Sequence, residues 1–256
     1  MKSGGRPHEE EPRDDDDAKM TTVALFRARE DAGRSAAILR ARGFAVAFAP
    51  ATVIRATGAL PPSAPFDAVA ATSAKAIALL TPAARAAIAG LPLYVVGERA
   101  GGAAADAGLA LALAPSPDVA GLAAALRQGL APEARVLYLA GRDRKAALEG
   151  ALRESGARTT IVEVYVAEAR ESWSPDEARS LAGCDAALHY SRRSAMLTVA
   201  LAGRAGVTAR MRETAHVCLS DDAAEPLRDA GWPRLVCADA PDEERLMGAL
   251  ERALDR

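Results

Sequence analysis

Short apolar runs alternate with longer amphipathic stretches along most of the chain. Runs typical of strands lie at 23–26, 45–49, 68–71, 93–96, 136–140, 161–166, 186–190 and 216–219, and an extended connection begins at 53–54. Stretches typical of helices lie at 34–42, from 74 onwards, at 100–107, after 140 up to 155, and at 242–254. Strands that alternate with helices predict a parallel sheet with helices on both faces, so the pattern predicts an α/β fold.

Glycine follows several of the predicted helices. Gly43, Gly108 and Gly156 each come directly after an amphipathic stretch. Because glycine adopts the left-handed conformation that ends a helix at little steric cost, these residues predict where the helices stop.

The chain also contains an internal duplication. Three pairs of segments match in the same order, and the offset between partners grows in steps of five residues, which indicates two copies of one layout with small insertions. The duplication predicts two similar lobes. The matched segments are 25–43 with 138–156, 67–73 with 185–191, and 97–108 with 220–231.

The duplicated positions fall where predicted strands end and helices begin. In an open parallel sheet, ligands bind beyond the carboxyl ends of the strands, and unpaired N–H groups at helix N-termini favour anions. We therefore predict a site for an anionic ligand; the alternative for its serines is that they only cap helices. The predicted site residues are Arg27, Arg29, Thr72, Ser73, Gly97, Gly141, Arg142, Ser191, Arg192 and Ser220.

The motifs of several common enzyme classes are missing from the sequence. The glycines in 97–102 do not have the dinucleotide-binding spacing, and neither a Walker loop nor a Gly-x-Ser-x-Gly elbow occurs. His8, His189 and His216 are too few and scattered to indicate zinc, and His189 is expected to be a core residue. The sequence thus favours an enzyme that shapes and anchors an anionic ligand.

Residues 1–19 differ from the rest because they are acidic and lack apolar periodicity. They are predicted to be a disordered tail, with Met20 as the functional start. The remainder is nearly neutral, so neither nucleic acid nor an anionic membrane is an expected partner. No apolar run approaches the ~20 residues of a membrane span, and no secretory signal is visible. Three cysteines without metal-type spacing fit a reducing cytoplasm.

Several segments together resemble a known family. They are an opening strand ending at Arg27, Pro50 after the second strand, Thr72-Ser73 before Ala74, a turn at Gly97, Tyr165 near the return between lobes, the segment 188–195, and Ser220 followed by Gly231. In this order, over residues 22–254, the chain resembles the uroporphyrinogen-III synthases.

The resemblance implies an architecture. It is an α/β fold of two similar parallel-sheet (flavodoxin-like) lobes, joined by a two-stranded β ladder. Mapped onto this chain, 20–50 and 169–256 form a discontinuous lobe and 55–163 the other. The crossings between them are then 51–54 and 164–168.

The resemblance also implies a reaction. Hydroxymethylbilane, which carries eight carboxylates, loses water and closes to uroporphyrinogen III with inversion of ring D, without a metal or organic cofactor. Tyr165 matches the family's tyrosine that donates a proton to the departing hydroxyl; the alternative is a strand tyrosine packed at the crossing. Tyr138 and Tyr190 are weaker candidates, expected in the core or at the rim. The enzyme is expected to be a monomer.

Two turns depart from the family pattern. Ala100 follows the Gly97 turn where a Thr-Ala pair is common, and Ser220 is followed by Asp221 and Asp222 where members have Gly-x-x-Thr. Both changes remove hydroxyl donors, and the two acids would repel a substrate carboxylate.

Two alternative functions are considered. The lost threonines leave open a non-catalytic tetrapyrrole- or anion-binding module on the same fold. A two-lobed sugar or amino-acid sensor would need aromatic stacking platforms, and aromatic residues make up only 4% of this chain.

Overall fold

A computed structural model describes residues 20–144, 146–154 and 156–255, without the side chains of 29–31. The predicted acidic tail, 1–19, lies outside the described residues. Contacts divide the chain into two compact units. Unit 1 comprises Met1–Ala49 and Trp173–Arg256, and unit 2 is Pro50–Ser172.

The strands confirm most of the apolar runs. They are β1 (Thr22–Leu25), β2 (Ala45–Phe48), β3 (Thr52–Ala56), β4 (Ala68–Ala71), β5 (Leu93–Val95), β6 (Arg135–Gly141), β7 (Arg158–Ala169), β8 (Ala186–His189), β9 (Ala215–Cys218) and β10 (Leu235–Cys237).

Helices fill the intervals between the strands. They are α1 (Arg29–Ala41), α2 (Ala74–Ala78), α3 (Pro82–Ile88), α4 (Glu98–Asp106), α5 (Val119–Gly129), α6 (Ala147–Glu154), α7 (Pro175–Ala182), α8 (Arg192–Arg204), α9 (Thr208–Glu213), α10 (Asp221–Asp229) and α11 (Glu243–Leu254).

Each unit contains one five-stranded sheet. Unit 1 has the order β10-β9-β8-β1-β2 with all neighbours parallel. Unit 2 has the order β3-β7-β6-β4-β5, parallel except that β3 pairs antiparallel with the second half of β7, from Thr52↔Ala169 to Ala56↔Tyr165. The predicted α/β fold with two similar parallel sheets is confirmed.

The register of the two sheets also confirms the duplication. In unit 1, Leu25 of β1 lies opposite Leu188 of β8, and in unit 2 the equivalent residues Tyr138 and Ala70 lie opposite each other. Each unit therefore combines strands from both copies: β1 and β2 of the first copy join β8–β10 of the second, whereas β4 and β5 join β6 and β7. Each unit thus combines one half of the first copy with the other half of the second copy.

The central strands are buried on both faces. In unit 2, Val69, Leu137 and Leu139 pack against α2, α3 and α4, whereas Ala70 and Tyr138 face a second cluster with α5 and α6. Helices thus cover both faces of the sheet, as a sheet of this kind requires.

Several elements differ from the pattern-based prediction. Helix α1 begins five residues earlier than predicted, because 29–33 is too polar to show a helical period. Strand β7 extends well beyond 161–166, because its second half is stabilised by distant β3. Strand β10 and helices α5, α7, α8, α9 and α10 were not among the predicted stretches. Gly43, Gly108 and Gly156 end the helices as predicted, each with positive φ.

Candidate anion-binding site at the strand ends

The strand order of each unit reverses direction at one place. In unit 2 this switch point lies between β4 and β6, and in unit 1 between β8 and β1. Ligands of open parallel sheets bind in the crevice at such a point, beyond the carboxyl ends of the strands. Thr72 and Ser73 follow β4 at the switch point of unit 2, and Gly141 is the last residue of β6 with Arg142 directly after it. At the switch point of unit 1, Arg27 follows β1, and Ser191 and Arg192 follow β8.

Tyr165 lies directly against Gly141 in unit 2. A Cβ atom at Gly141 would lie 2.5 Å from Cζ of Tyr165, so only glycine leaves room for this ring. The β6–β7 register shifts at this point, which places Tyr165 rather than Val164 opposite Gly141. The amide of Arg142 donates to the Tyr165 carbonyl at 2.9 Å. The backbone therefore fixes the partly buried tyrosine at the strand end.

Hydroxyl groups surround this tyrosine. The Tyr165 hydroxyl lies 3.5 Å from Oγ of Ser73, and Thr72 Oγ1 lies 3.0 Å from the hydroxyl of Tyr138. Tyr138 is buried, as expected of a core residue, and burial raises the pKa of its hydroxyl. Tyr138 therefore remains neutral and holds Thr72 in place, while Tyr165 is the more accessible of the two tyrosines.

Arg142 belongs to an ion-pair cluster beside Tyr165. Its Nε donates to Glu163 at 3.1 Å, and Arg144 donates to the other oxygen of Glu163 at 2.9 Å and to Glu149 at 2.7 Å. These donors, Arg144 first, lower the pKa of Glu163. Arg144 also donates to the carbonyls of Gly141 and Arg142, so it fastens the turn that follows β6.

Gly97 begins α4 with a φ of +79°. Its own amide donates to the Ser116 carbonyl at 2.8 Å, so this amide is already used within the protein. At this turn, the groups left to bind an anion are therefore the first amides of α4, which follow Gly97.

The serines at these turns all cap helices. Oγ of Ser73, Ser191 and Ser220 accepts from the backbone amides of Lys75, Ser194 and Ala223, respectively. The alternative prediction, that these serines cap helices, is therefore correct, because the oxygen of each hydroxyl accepts a hydrogen bond from a helix amide. Each hydroxyl proton is still available to a ligand, so capping and ligand binding are compatible.

Carboxylates surround Arg192 in unit 1. Its guanidinium pairs with Glu225 and lies 3.7 Å from Asp222. Asp221 pairs with Arg228 at 2.6 Å, which lowers the pKa of Asp221. The two acids that depart from the family pattern are thus partly neutralised, but they also occupy cations that a substrate carboxylate would use.

Arg27 has a different environment. Its Cζ lies 4.5 Å from the centre of the Tyr190 ring. The Tyr190 hydroxyl donates to Glu243 at 2.9 Å, and burial raises the pKa of this tyrosine. Within the described residues, no carboxylate pairs with Arg27. The side chain of Arg29, the remaining predicted site residue, lies outside the described residues.

A buried histidine pair lies below the strand ends of unit 1. His216 Nε2 lies 2.7 Å from the Met211 carbonyl and must donate to it, so Nδ1 accepts from His189 Nε2 at 2.9 Å. The rings pack between Phe26 and Trp232. Burial lowers the pKa of His189, and that of His216 to about 4. His189 is therefore a core residue, as predicted.

Sequence reasoning missed Glu163, Arg144 and Glu243. Glu163 and Arg144 stand in polar positions near strand ends, which is a weak signal among 34 acidic residues. Only the fold brings them to the predicted residues. No group of three or more potential metal ligands occurs within the described residues. None of the helices described is both long and apolar enough to span a bilayer.

The fold and these strand ends define a two-unit α/β protein suited to hold an anionic ligand without a nucleotide-binding motif. A family model described as Uroporphyrinogen-III synthase HemD matches residues 33–248, so the chain belongs to this family. The family's reaction makes the chain a lyase-type enzyme of porphyrin biosynthesis.

One solved structure supports the fold. The uroporphyrinogen-III synthetase of Helicobacter pylori is 16% identical and aligns over 92% of this chain and 99% of its own, with a TM-score of 0.57. A Thermus thermophilus uroporphyrinogen III synthase is also 16% identical, over 92% and 100% of the two chains, with a TM-score of 0.41. No curated protein matches the chain by sequence.

Proposed function

We propose that the chain converts hydroxymethylbilane to uroporphyrinogen III, with Tyr165 as the proton donor. The observation that carries the proposal is the position of Tyr165 against Gly141, next to Ser73, at the switch point of unit 2. A tyrosine fixed by the backbone beside an anion-binding edge is suited to assist a departing hydroxyl.

The substrate is a flexible polycarboxylate. Arg27 and Arg142 would receive carboxylates, assisted by the first amides of α4, α8 and α10, which have no partner within their helices. The hydroxyl protons of Ser191 and Ser220 are further donors. Multiple anchors hold the bilane folded, which brings its two ends together and lowers the entropic part of the barrier.

The chemistry then needs only proton transfer. Tyr165 donates a proton to the terminal hydroxyl, which leaves as water, and the methylene carbon that remains on the pyrrole becomes part of a cationic azafulvene. The substituted carbon of ring D attacks it to give a spiro intermediate, which fragments and recloses with ring D inverted. The proton finally lost from the ring returns to the tyrosinate, so the enzyme is regenerated.

The proposal also concerns organisation and location. We place one lobe at 20–50 with 169–256 and the other at 55–163, with crossings at 51–54 and 164–168, acting as a monomer without nucleic acid or membrane. The division at 49/50 and 172/173 lies close to these boundaries. No disulfide joins Cys184, Cys218 and Cys237, which is compatible with a reducing cytoplasm.

The test is to supply hydroxymethylbilane and resolve the product isomers over time. Tyr165→Phe is expected to slow type III formation by about a hundredfold, because general acid catalysis contributes on that scale. The thermal midpoint should change little, because the hydrogen bond described for this hydroxyl is long, at 3.5 Å. Tyr94→Phe makes the same change in the same unit, inside β5, and should leave the rate unchanged.

Two outcomes would contradict the proposal in different ways. If the wild type gives only type I, the product of spontaneous closure, the chain is a binding module rather than an enzyme. If Tyr165→Phe forms type III at the wild-type rate, the reaction stands and Tyr165 is not its donor.

A further inference from the structure

The switch points of the two units carry different residues at equivalent positions. Arg27 and Tyr190 in unit 1 correspond to Ala140 and Thr72 in unit 2, by the offsets of the duplication. Unit 2 therefore has neither a cation nor an aromatic ring at these positions. The Arg27–Tyr190 pair is specific to unit 1, and general features of the fold do not explain it.

The geometry of this pair limits how Arg27 can move. Its guanidinium lies over the Tyr190 ring, 4.5 Å from the ring centre. Tyr190 is in turn held by its hydrogen bond to Glu243, at the start of α11. A guanidinium over an aromatic face keeps its N–H edges directed outward, where a carboxylate can accept two hydrogen bonds.

The neighbouring cation of unit 1 is less suited to this task. Arg192 is paired with Glu225 and close to Asp222, whereas no described carboxylate pairs with Arg27. A ligand carboxylate at Arg192 must displace a protein carboxylate, and at Arg27 it need not. Of these two cations, Arg27 is therefore the more available to an anion.

We propose that Tyr190 is a positioning residue, whose ring holds the guanidinium of Arg27 ready to receive a substrate carboxylate. This inference rests on the proposed function for the identity of the substrate. Tyr190 contributes through Arg27 and has no role in proton transfer. Its effect should therefore fall on substrate affinity and not on turnover.

The experiment compares Tyr190→Leu, Tyr190→Phe and the matched control Phe48→Leu. Phe48 forms another arginine–ring pair among the described residues of unit 1, with Arg40 at 5.8 Å, and is not among the site residues. Tyr190→Leu should raise KM for hydroxymethylbilane about tenfold with kcat nearly unchanged. Tyr190→Phe keeps the ring and should recover most of the affinity, and Phe48→Leu should leave KM unchanged.

A double-mutant cycle with Arg27→Ala distinguishes positioning from a general structural effect. If Tyr190 acts through Arg27, adding Tyr190→Leu to Arg27→Ala should raise KM no further. An equal rise in both backgrounds, or a Tyr190→Phe variant as weak as Tyr190→Leu, would overturn the inference.

A second readout separates this inference from the proposed function. Titration with uroporphyrin III, a stable octacarboxylate, measures affinity without turnover, and Tyr190→Leu should weaken it by the same factor. If the wild type forms no type III product but Tyr190→Leu binds uroporphyrin III more weakly than the wild type, the proposed reaction is refuted and the role of Tyr190 stands. An unchanged affinity refutes the role of Tyr190 alone.

Discussion

The two units share a sheet order and a register but differ in the side chains at their switch points. In unit 2 the Tyr165 ring packs against Gly141, and Arg142 and Arg144 both pair with Glu163. In unit 1 an arginine lies on a tyrosine ring, and Arg192 is enclosed by acids. The duplicated backbone provides the same strand ends twice, and under the proposed function unit 2 supplies the proton donor while Arg27 of unit 1 receives a carboxylate.

The interiors differ as well. Both tryptophans, Trp173 and Trp232, and both described histidines belong to unit 1, whereas residues 50–172 contain neither residue type. Histidine titration, within the described residues, and tryptophan fluorescence are therefore properties of unit 1. This asymmetry allows each unit to be examined separately in the intact chain.

The largest expected effect comes from a change at Gly141, against which the Tyr165 ring packs in unit 2. Gly141→Ala places a Cβ within 2.5 Å of the Tyr165 ring, so the ring must move. A displacement of about 1 Å can cost a hundredfold in rate, and we expect type III formation to fall by about that factor. The measurement is the initial rate of type III formation.

Gly150→Ala is the matched control for this change. Gly150 lies in α6, and a Cβ there would meet nothing within 4 Å. Alanine favours a helix over glycine by about 1 kcal/mol, so this variant should be at least as stable as the wild type and equally active. A Gly141→Ala variant with the wild-type rate would show that the packing of Tyr165 against Gly141 does not affect the reaction.

The second effect concerns the histidine pair of unit 1. Burial lowers the pKa of His216 to about 4 in the folded state, while the unfolded value is near 6.5. Below pH 6.5 the unfolded state therefore binds more protons, so stability falls as pH decreases and levels off below pH 4. Between pH 7 and 5 this histidine alone should remove about 2 kcal/mol of the free energy of unfolding of unit 1.

Urea unfolding followed by tryptophan fluorescence reports on unit 1, since both tryptophans lie there. Its midpoint should fall between pH 7 and 5, a range in which ordinary carboxylates stay ionised. Far-ultraviolet circular dichroism should show a second transition, from unit 2, that depends less on pH. A fluorescence midpoint that does not change over this range would contradict the prediction.

The smallest effect compares two arginines at the switch points, Arg142 after β6 in unit 2 and Arg192 after β8 in unit 1. Arg142→Ala should raise KM about tenfold, because Arg142 shares one carboxylate with Arg144 and can also receive the substrate. Arg192→Ala should raise it no more than about threefold, because Glu225 and Asp222 already occupy this residue. Equal effects would show that the acids of unit 1 do not control access to Arg192.

The sequence predicted those parts of the fold that depend on local pattern. The apolar runs located most strands, and the matched segments predicted a repeated layout, which the Leu25–Leu188 and Tyr138–Ala70 registers confirm. Long-range pairing could not be predicted in this way. The second half of β7 is a strand because β3 lies beside it, and nothing local in 164–169 reveals the partner.

The candidate site was predictable as a set of positions but not as a set of contacts. Strand ends followed by glycine, serine or arginine indicated where an anion could bind. The acids that occupy Arg192, and the ring that carries Arg27, come from elements distant in sequence. Their pairing depends on side-chain directions that only the folded sheet determines.

The central position of β1 has a consequence for biosynthesis. Thr22 donates its amide to Asp185, 163 residues later, and β1 pairs on that side only with β8. At the usual 5–20 residues per second, a ribosome needs on the order of ten seconds to make the intervening segment. During this time the β1–α1–β2 segment of the nascent chain exposes an open apolar edge on β1 while unit 2 can already fold, so chaperone binding to the first 50 residues should be a feature of its synthesis.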